Sequence, residues 1–133
     1  MPPRSRKTGS TKSGGRPRRR GWGSATKTLY KGVLYDSKAE ATYAAVLDRL
    51  VDEGEVSHWD RQQKWPLRVN GVKVCAMIPD FVVWYHGERG EEPRMELHEV
   101  KGFQTPVWRL KRKLFEALHP EITYLVINAS TLR

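Results

Sequence analysis

The chain has 133 residues and a formal net charge of +9, with 24 Lys and Arg against 15 Asp and Glu. That length is enough for one domain with a modest core. A single cysteine, Cys75, excludes an internal disulfide and a cysteine-rich zinc site, and no apolar run is long enough to span a bilayer. The N-terminus has bases but no apolar stretch behind them, so it does not read as a secretory signal.

The charge is unevenly placed. Residues 1–28 carry Arg4, Arg6, Lys7, Lys12, Arg16, Arg18, Arg19, Arg20 and Lys27 and no acid. The rest of the chain is balanced, so the whole excess lies in this Gly-, Ser- and Pro-rich segment. Its composition cannot bury enough apolar surface to offset ordering entropy, and it is expected to be a disordered basic arm (residues 1–28) ahead of a folded domain (29–133). A basic arm on a neutral domain points to a polyanionic partner, nucleic acid first, since phosphate neutralisation releases counterions. Arg16, Arg18, Arg19 and Arg20 are its densest cluster. Trp22 could stack on a base, although a bystander role is the simpler one.

Leu29–Tyr35 reads as a short extended run. Ser37 with Glu40 three residues on forms a capping box that opens a helix, and Gly54 closes it. Val56–Trp59 is strand-like. Asn70-Gly71 between Trp65–Val69 and Val72–Val74 is a hairpin signal. Ile78–Tyr85 is a strand, residues 86–93 a turn, and Arg94–Lys101 an alternating strand. Thr105-Pro106 starts a second helix with Val107, Leu110, Leu114, Phe115 and Leu118 as its buried stripe, and His119-Pro120 stops it. Ile122–Ile127 is a β-branched strand. Strand, helix, strand over 94–127 implies a parallel crossover. The expected fold is α/β, a central mixed sheet flanked by helices, in the order helix, three antiparallel strands, helix, strand.

Within the strand 94–101, Met95, Leu97, Glu99 and Lys101 share one face, while Glu96, His98 and Val100 share the other. An acid and a lysine on an otherwise apolar face need a partner. Eighteen residues separate Asp80 from Glu99, and folding back about 89–90 sets those two carboxylates directly across the ladder. Two carboxylates at such a distance repel unless a cation or a shared proton relieves them. Mg²⁺, an oxygen-seeking ion that retains waters, would do so, with the Lys101 ammonium beside it. The bland reading is a surface ion pair on a solvent-facing strand. Glu40 lies on the inward face of its helix with Tyr43, Ala44 and Leu47; it either joins the acids or only completes the capping box. Arg109, Lys111, Arg112 and Lys113 form a charged helix surface that is either solvated or set against a DNA backbone. The four histidines lack metal-ligand spacing and read as structural or exposed.

Pro79-Asp80 followed by Glu99-Val100-Lys101 resembles the PD-(D/E)XK nuclease signature. More closely, Leu34-Tyr35-Asp36-Ser37-Lys38-Ala39-Glu40, Gln62, Pro79-Asp80-Phe81, Glu99-Val100-Lys101-Gly102 and the basic helix ending at Pro120 resemble a little-characterised phage and prophage family assigned to that superfamily and similar to junction-resolving endonucleases. The resemblance covers about residues 29–127. It implies an αβββαβ restriction-endonuclease-like core and Mg²⁺-dependent hydrolysis of DNA phosphodiesters, with Mn²⁺ as a substitute ion. It implies that Asp80, Glu99 and the Val100 carbonyl hold the metal, that Glu40 is the helix acid of the site, and that Lys101 positions the attacking water. Gln62 falls where such nucleases place a site-facing glutamine, with Gln63 as its rival. Branched duplex DNA is the expected substrate, a homodimer the expected assembly, no membrane is expected to be involved, and the expected location is the cytoplasm, that of a bacterial host for a phage-encoded chain. The rival reading is a non-catalytic nucleic-acid-binding accessory protein.

Overall fold

The computed structural model describes residues 26–132. The expected disordered arm therefore lies almost wholly outside the described residues. The chain begins with two short antiparallel strands, β1 (Thr28–Tyr30) and β2 (Val33–Tyr35). This is a hairpin where the sequence suggested one extended run. Its turn is Lys31-Gly32, with φ of 45° and 76°, and the glycine supplies the second left-handed position at little cost.

Helix α1 (Lys38–Asp52) starts as the capping box requires, with the Ser37 hydroxyl accepting the Glu40 backbone N–H at 3.0 Å. It ends at Glu53, and Gly54 follows at φ 81°. Next come β3 (His58–Arg61), β4 (Trp65–Val69) and β5 (Val72–Met77), the last two joined by the expected Asn70-Gly71 turn. β6 (Phe81–Tyr85), β7 (Arg94–Lys101), α2 (Pro106–Leu118) and β8 (Thr123–Asn128) follow, and a 3₁₀ turn over Ala129–Leu132 closes the described chain.

The central sheet is mixed and has four strands in the order β3-β6-β7-β8. β3, β6 and β7 pair antiparallel, and β8 joins β7 in parallel after the α2 crossover. β4 and β5 stay outside it as a two-stranded sheet of their own. The strand expected from Ile78 begins only at Phe81, because β5 runs on to Met77 and Ile78-Pro79-Asp80 forms the break between them. Pro79 has no N–H to give to a ladder, which suits it to such a break.

Each face of the sheet has its own core. On one side α1 packs Tyr43, Ala44 and Leu47 against Tyr35, Phe81, Val83 and Val100. On the other, Trp108 and Phe115 of α2 and Leu67 and Met77 of the β4–β5 hairpin cover Val82, Leu97 and Tyr124. The buried stripe of α2 agrees with the expected one at Leu114, Phe115 and Leu118 and differs in the first turns. Val107 and Leu110 are 65% and 69% exposed, whereas Trp108 and Phe115 are buried. The helix has turned so that residues 108, 111, 112 and 115 face the sheet. Lys111 is half-buried, and its ammonium donates to the Ala76 carbonyl at 3.4 Å. A sequence count of apolar side chains assigns that face wrongly because long basic side chains cover apolar surface with their stems.

Candidate active site

The β6–β7 register pairs Phe81 with His98 and Val82 with Leu97. One step further along the same ladder sets Asp80 opposite Glu99, as the sequence predicted. At that end the Asp80 Oδ2 accepts the Val100 backbone N–H at 2.8 Å, which fixes the carboxylate against β7. Asp80 enters from the 78–80 break, so its side chain is free of β5 and leans onto its neighbour strand. The Asp80 carbonyl also accepts the Gln62 backbone N–H at 3.2 Å. Gln62 has a left-handed φ of 50° and is exposed, so the structure ties its main chain, at the end of β3, to the acid. Gln63 beside it is exposed too.

Glu99 is buried and held on three sides. The Trp108 indole N–H donates to Oε2 at 3.0 Å, the Tyr124 hydroxyl donates to the same oxygen, and Lys101 Nζ lies 3.4 Å from Oε1. The Lys101 ammonium also sits 5.2 Å from the centre of the Trp108 ring, a cation–π contact that helps to hold it. These contacts explain how an acid is kept on an apolar face: charge-assisted hydrogen bonds replace the water it has lost. They also exclude the reading of a solvent-facing surface pair, since Glu99 is only 6% exposed. Trp108 and Tyr124 escaped the sequence reading as site residues. The signal was there in part: Tyr124 lies opposite Leu97 in the parallel register, on the face that Glu99 shares.

The electrostatics gather Glu40, Asp80, Glu99, Lys101 and Arg61 into one cluster. Burial first, then the neighbouring Glu40 carboxylate and more weakly that of Glu99, push the Asp80 carboxyl up to about 7, against the opposing pull of the Val100 N–H and Lys101. Burial and then Asp36 raise Glu40, with a smaller contribution from Glu99, while Arg61 acts in the other direction. A backbone hydrogen bond at Asp36 also steadies the Glu40 carboxylate at the helix start, and its charge belongs to the same field as Asp80 and Glu99. Arg61, also missed from sequence, stands 4.0 Å over the Tyr35 ring and supplies the second cation of the cluster. Three acids share two cations here, an excess of negative charge in a partly buried place.

Such an excess is what a divalent cation relieves. The donor set fits Mg²⁺ or Mn²⁺: all its candidate atoms are oxygens, one oxygen of Asp80 has no hydrogen-bond donor among the described residues, and Glu99 Oε1 meets only Lys101. Among the described residues no three His, Cys, Asp or Glu side chains close around a single point, so an ion here would complete its shell with the Val100 carbonyl and water.

The basic residues of α2 divide into two pairs. Arg109 and Lys113 are exposed and make no ion pair among the described residues. Arg112 is bound through Nε to Glu116 at 2.9 Å, and Lys111 is bound to the hairpin as described. Arg16, Arg18, Arg19 and Arg20 lie outside the described residues. His98 falls on the opposite face from Glu99, as expected. It is buried there between the Tyr43 hydroxyl at 2.6 Å and Glu96 Oε1 at 3.1 Å, and burial lowers its pKa. It is a structural link between α1 and β7 and takes no part in the acid cluster.

Fold and site together define a mixed α/β domain that carries an acid–lysine cluster where β6 and β7 meet the start of α2. The chain belongs to the family described as "Protein of unknown function (DUF1064)", whose model matches residues 21–132. No curated protein and no solved structure matches it. No helix among the described residues is long and apolar enough to cross a membrane.

Proposed function

We propose that this protein is a Mg²⁺-dependent DNA endonuclease with a restriction-endonuclease-like αβββαβ core, acting on branched duplexes in the cytoplasm, that of a bacterial host for a phage-encoded chain, as a homodimer. The observation that carries the reading is the placement of Asp80 against β7 beside Glu99, with Lys101 Nζ 3.4 Å from Glu99 Oε1. In this reading Asp80, Glu99 and the Val100 carbonyl, with Glu40 behind them, would hold a Mg²⁺ ion, which would supply positive charge against that growing on the scissile phosphate. Lys101 orients the attacking water and faces the phosphate oxygens with its positive charge. Trp108 and Tyr124 hold Glu99 in one rotamer, so the site is ordered before substrate arrives. Water attacks phosphorus in line and the 3′ oxygen leaves, giving 5′-phosphate and 3′-hydroxyl ends. Arg109 and Lys113, together with the arginines of the N-terminal arm, hold the backbone without reading sequence. A four-way junction needs two symmetric cuts, which is the reason to expect a two-fold dimer.

The rival, a non-catalytic nucleic-acid-binding accessory protein, draws support from Glu99 Oε2, which is already engaged by Trp108 and Tyr124. One experiment separates the two. Full-length protein is incubated with four-way, forked and linear duplexes, each in Mg²⁺ and in EDTA. The nuclease reading expects cleavage in Mg²⁺ alone, strongest on the branched forms. Binding of all three without any cut in Mg²⁺ or Mn²⁺ would establish the rival, and equal cutting of all three would remove only the branched-DNA preference.

A further inference from the structure

We infer that the turn between β7 and α2 is a binding site for one unpaired nucleotide, with Phe103 as its stacking surface. This rests on the nuclease reading for its place next to the cut, but its own evidence is separate. Phe103 is 74% exposed, the highest value among the exposed large apolar side chains of the described chain. It is not a loose loop residue. Two positions before it Lys101 ends β7, and two positions after it the Thr105 hydroxyl caps α2 by accepting the Trp108 N–H at 3.1 Å. The ring is thus presented from a short, doubly anchored turn. An aromatic face left in water costs apolar exposure and suits a flat π partner.

Gly102 and Gln104, on either side of Phe103, line an open pocket of about 440 Å³, with Phe103 itself outside the lining. Its polar lining is Lys101, Gln104, Arg112 and Asn128, over a floor that includes Tyr124 and Val126. Charge decides what it would take. Lys101 faces Glu99 and Arg112 faces Glu116, so each cation already has a carboxylate. Beside the phosphate that Lys101 faces, a pocket whose cations are each shared with a carboxylate leaves room for a neutral group with donors and acceptors. Asn128 Oδ1 accepts both the Ser130 N–H at 3.0 Å and the Ser130 hydroxyl at 2.8 Å, which turns its amide N–H₂ outward as a donor. Gln104, half-buried, offers an amide of either sense. An exposed aromatic face on the same turn that supplies Gly102 and Gln104 to an amide-lined recess suits a nucleobase whose edge and face are both free. Bases within a continuous duplex offer neither. On α2, Val107 and Leu110 are exposed apolar side chains, and Arg109 and Lys113 are exposed cations with no ion pair among the described residues, available to the attached strand. The site therefore selects DNA that has an unstacked nucleotide next to the scissile bond.

The test is binding in EDTA, so that it does not depend on cleavage. Full-length protein is titrated into a fork carrying 2-aminopurine at the first unpaired position and into the matched continuous duplex. The expected result is a change in 2-aminopurine emission on the fork. Phe103→Ala should lose that change and bind the fork about 5- to 100-fold more weakly, while Phe103→Trp retains both. Asn128→Ala should weaken fork binding and leave duplex binding as it was. The inference is overturned if Phe103→Ala binds the fork and alters the probe as the wild type does, or if the wild type binds fork and duplex alike with no change in emission. Either result together with Mg²⁺-dependent cutting rejects the nucleotide site and leaves the nuclease reading in place. Phe103-dependent fork binding without cutting in Mg²⁺ does the reverse.

Discussion

Asp80→Asn is expected to lose DNA cleavage by at least ~10²–10³-fold and, in metal-free buffer at pH 8, to be more stable than the wild type. The two effects have one cause. The Asp80 carboxyl is pushed up to about 7 in the fold, well above the ordinary aspartate value of 3.8, chiefly by burial and by the Glu40 carboxylate. The folded protein therefore holds a proton that the unfolded chain has released. Stability falls as pH rises from about 4 to about 7, and the full cost is present above that. Asparagine keeps an oxygen for the Val100 N–H but has no charge to bury. At pH 8 in EDTA the gain should be on the order of 1–4 kcal/mol, and at pH 4 it should vanish. Urea melts of both proteins at the two pH values measure it. A variant less stable than the wild type at pH 8 would contradict the crowding of acids at this site. A group whose charge destabilises the fold but serves the reaction is the expected mark of a functional position.

Phe115→Ala should cost about 3–5 kcal/mol of unfolding free energy and lower cleavage of the protein that remains folded. Phe115 is fully buried and touches three rings: its centroid lies 5.8 Å from that of Trp65, 5.0 Å from that of His119 and 5.4 Å from that of Tyr124. It joins α2 to the β4–β5 hairpin on one side and to β8 on the other. Removing it leaves a cavity behind Tyr124, whose hydroxyl holds Glu99. The lost packing lies in the stability measurement, and the loosened carboxylate lies in the rate per folded molecule. A loss of stability below 1 kcal/mol would mean that the hairpin and α2 are not packed as described.

The site was legible where chain geometry is periodic and short-ranged. If the two strands pair antiparallel through the 86–93 turn, folding back about 89–90 faces positions 80 and 99, and the β6–β7 register agrees. The Ser37 cap, the Asn70-Gly71 turn and the Thr105-Pro106 start are local chemistry and are found where the residues predict them. What sequence missed depends on packing between elements. Val107 and Leu110 look buried by periodicity, yet the helix rotates because Trp108 can reach Glu99 and Lys111 can lie along the hairpin. The Lys31-Gly32 turn was overlooked because strands of three residues carry almost no periodic signal. Ile78 extends a β-branched run in the sequence, but Pro79 breaks the ladder there, and that break is what frees Asp80 to lean onto β7. Arg61 and Tyr124 joined the cluster through strand pairings that no single segment could reveal.

The central claim is that Asp80 and Glu99 share one cation beside the Lys101 ammonium. Mn²⁺ binding to the full-length protein without DNA, followed by electron paramagnetic resonance of the free ion, tests it most directly. The account predicts saturable binding by the wild type, displaced by Mg²⁺, and weakened at least ~10-fold in Asp80→Asn and in Glu99→Gln alike. Equal Mn²⁺ binding by the wild type and both variants, or no uptake by the wild type at millimolar ion, would contradict it.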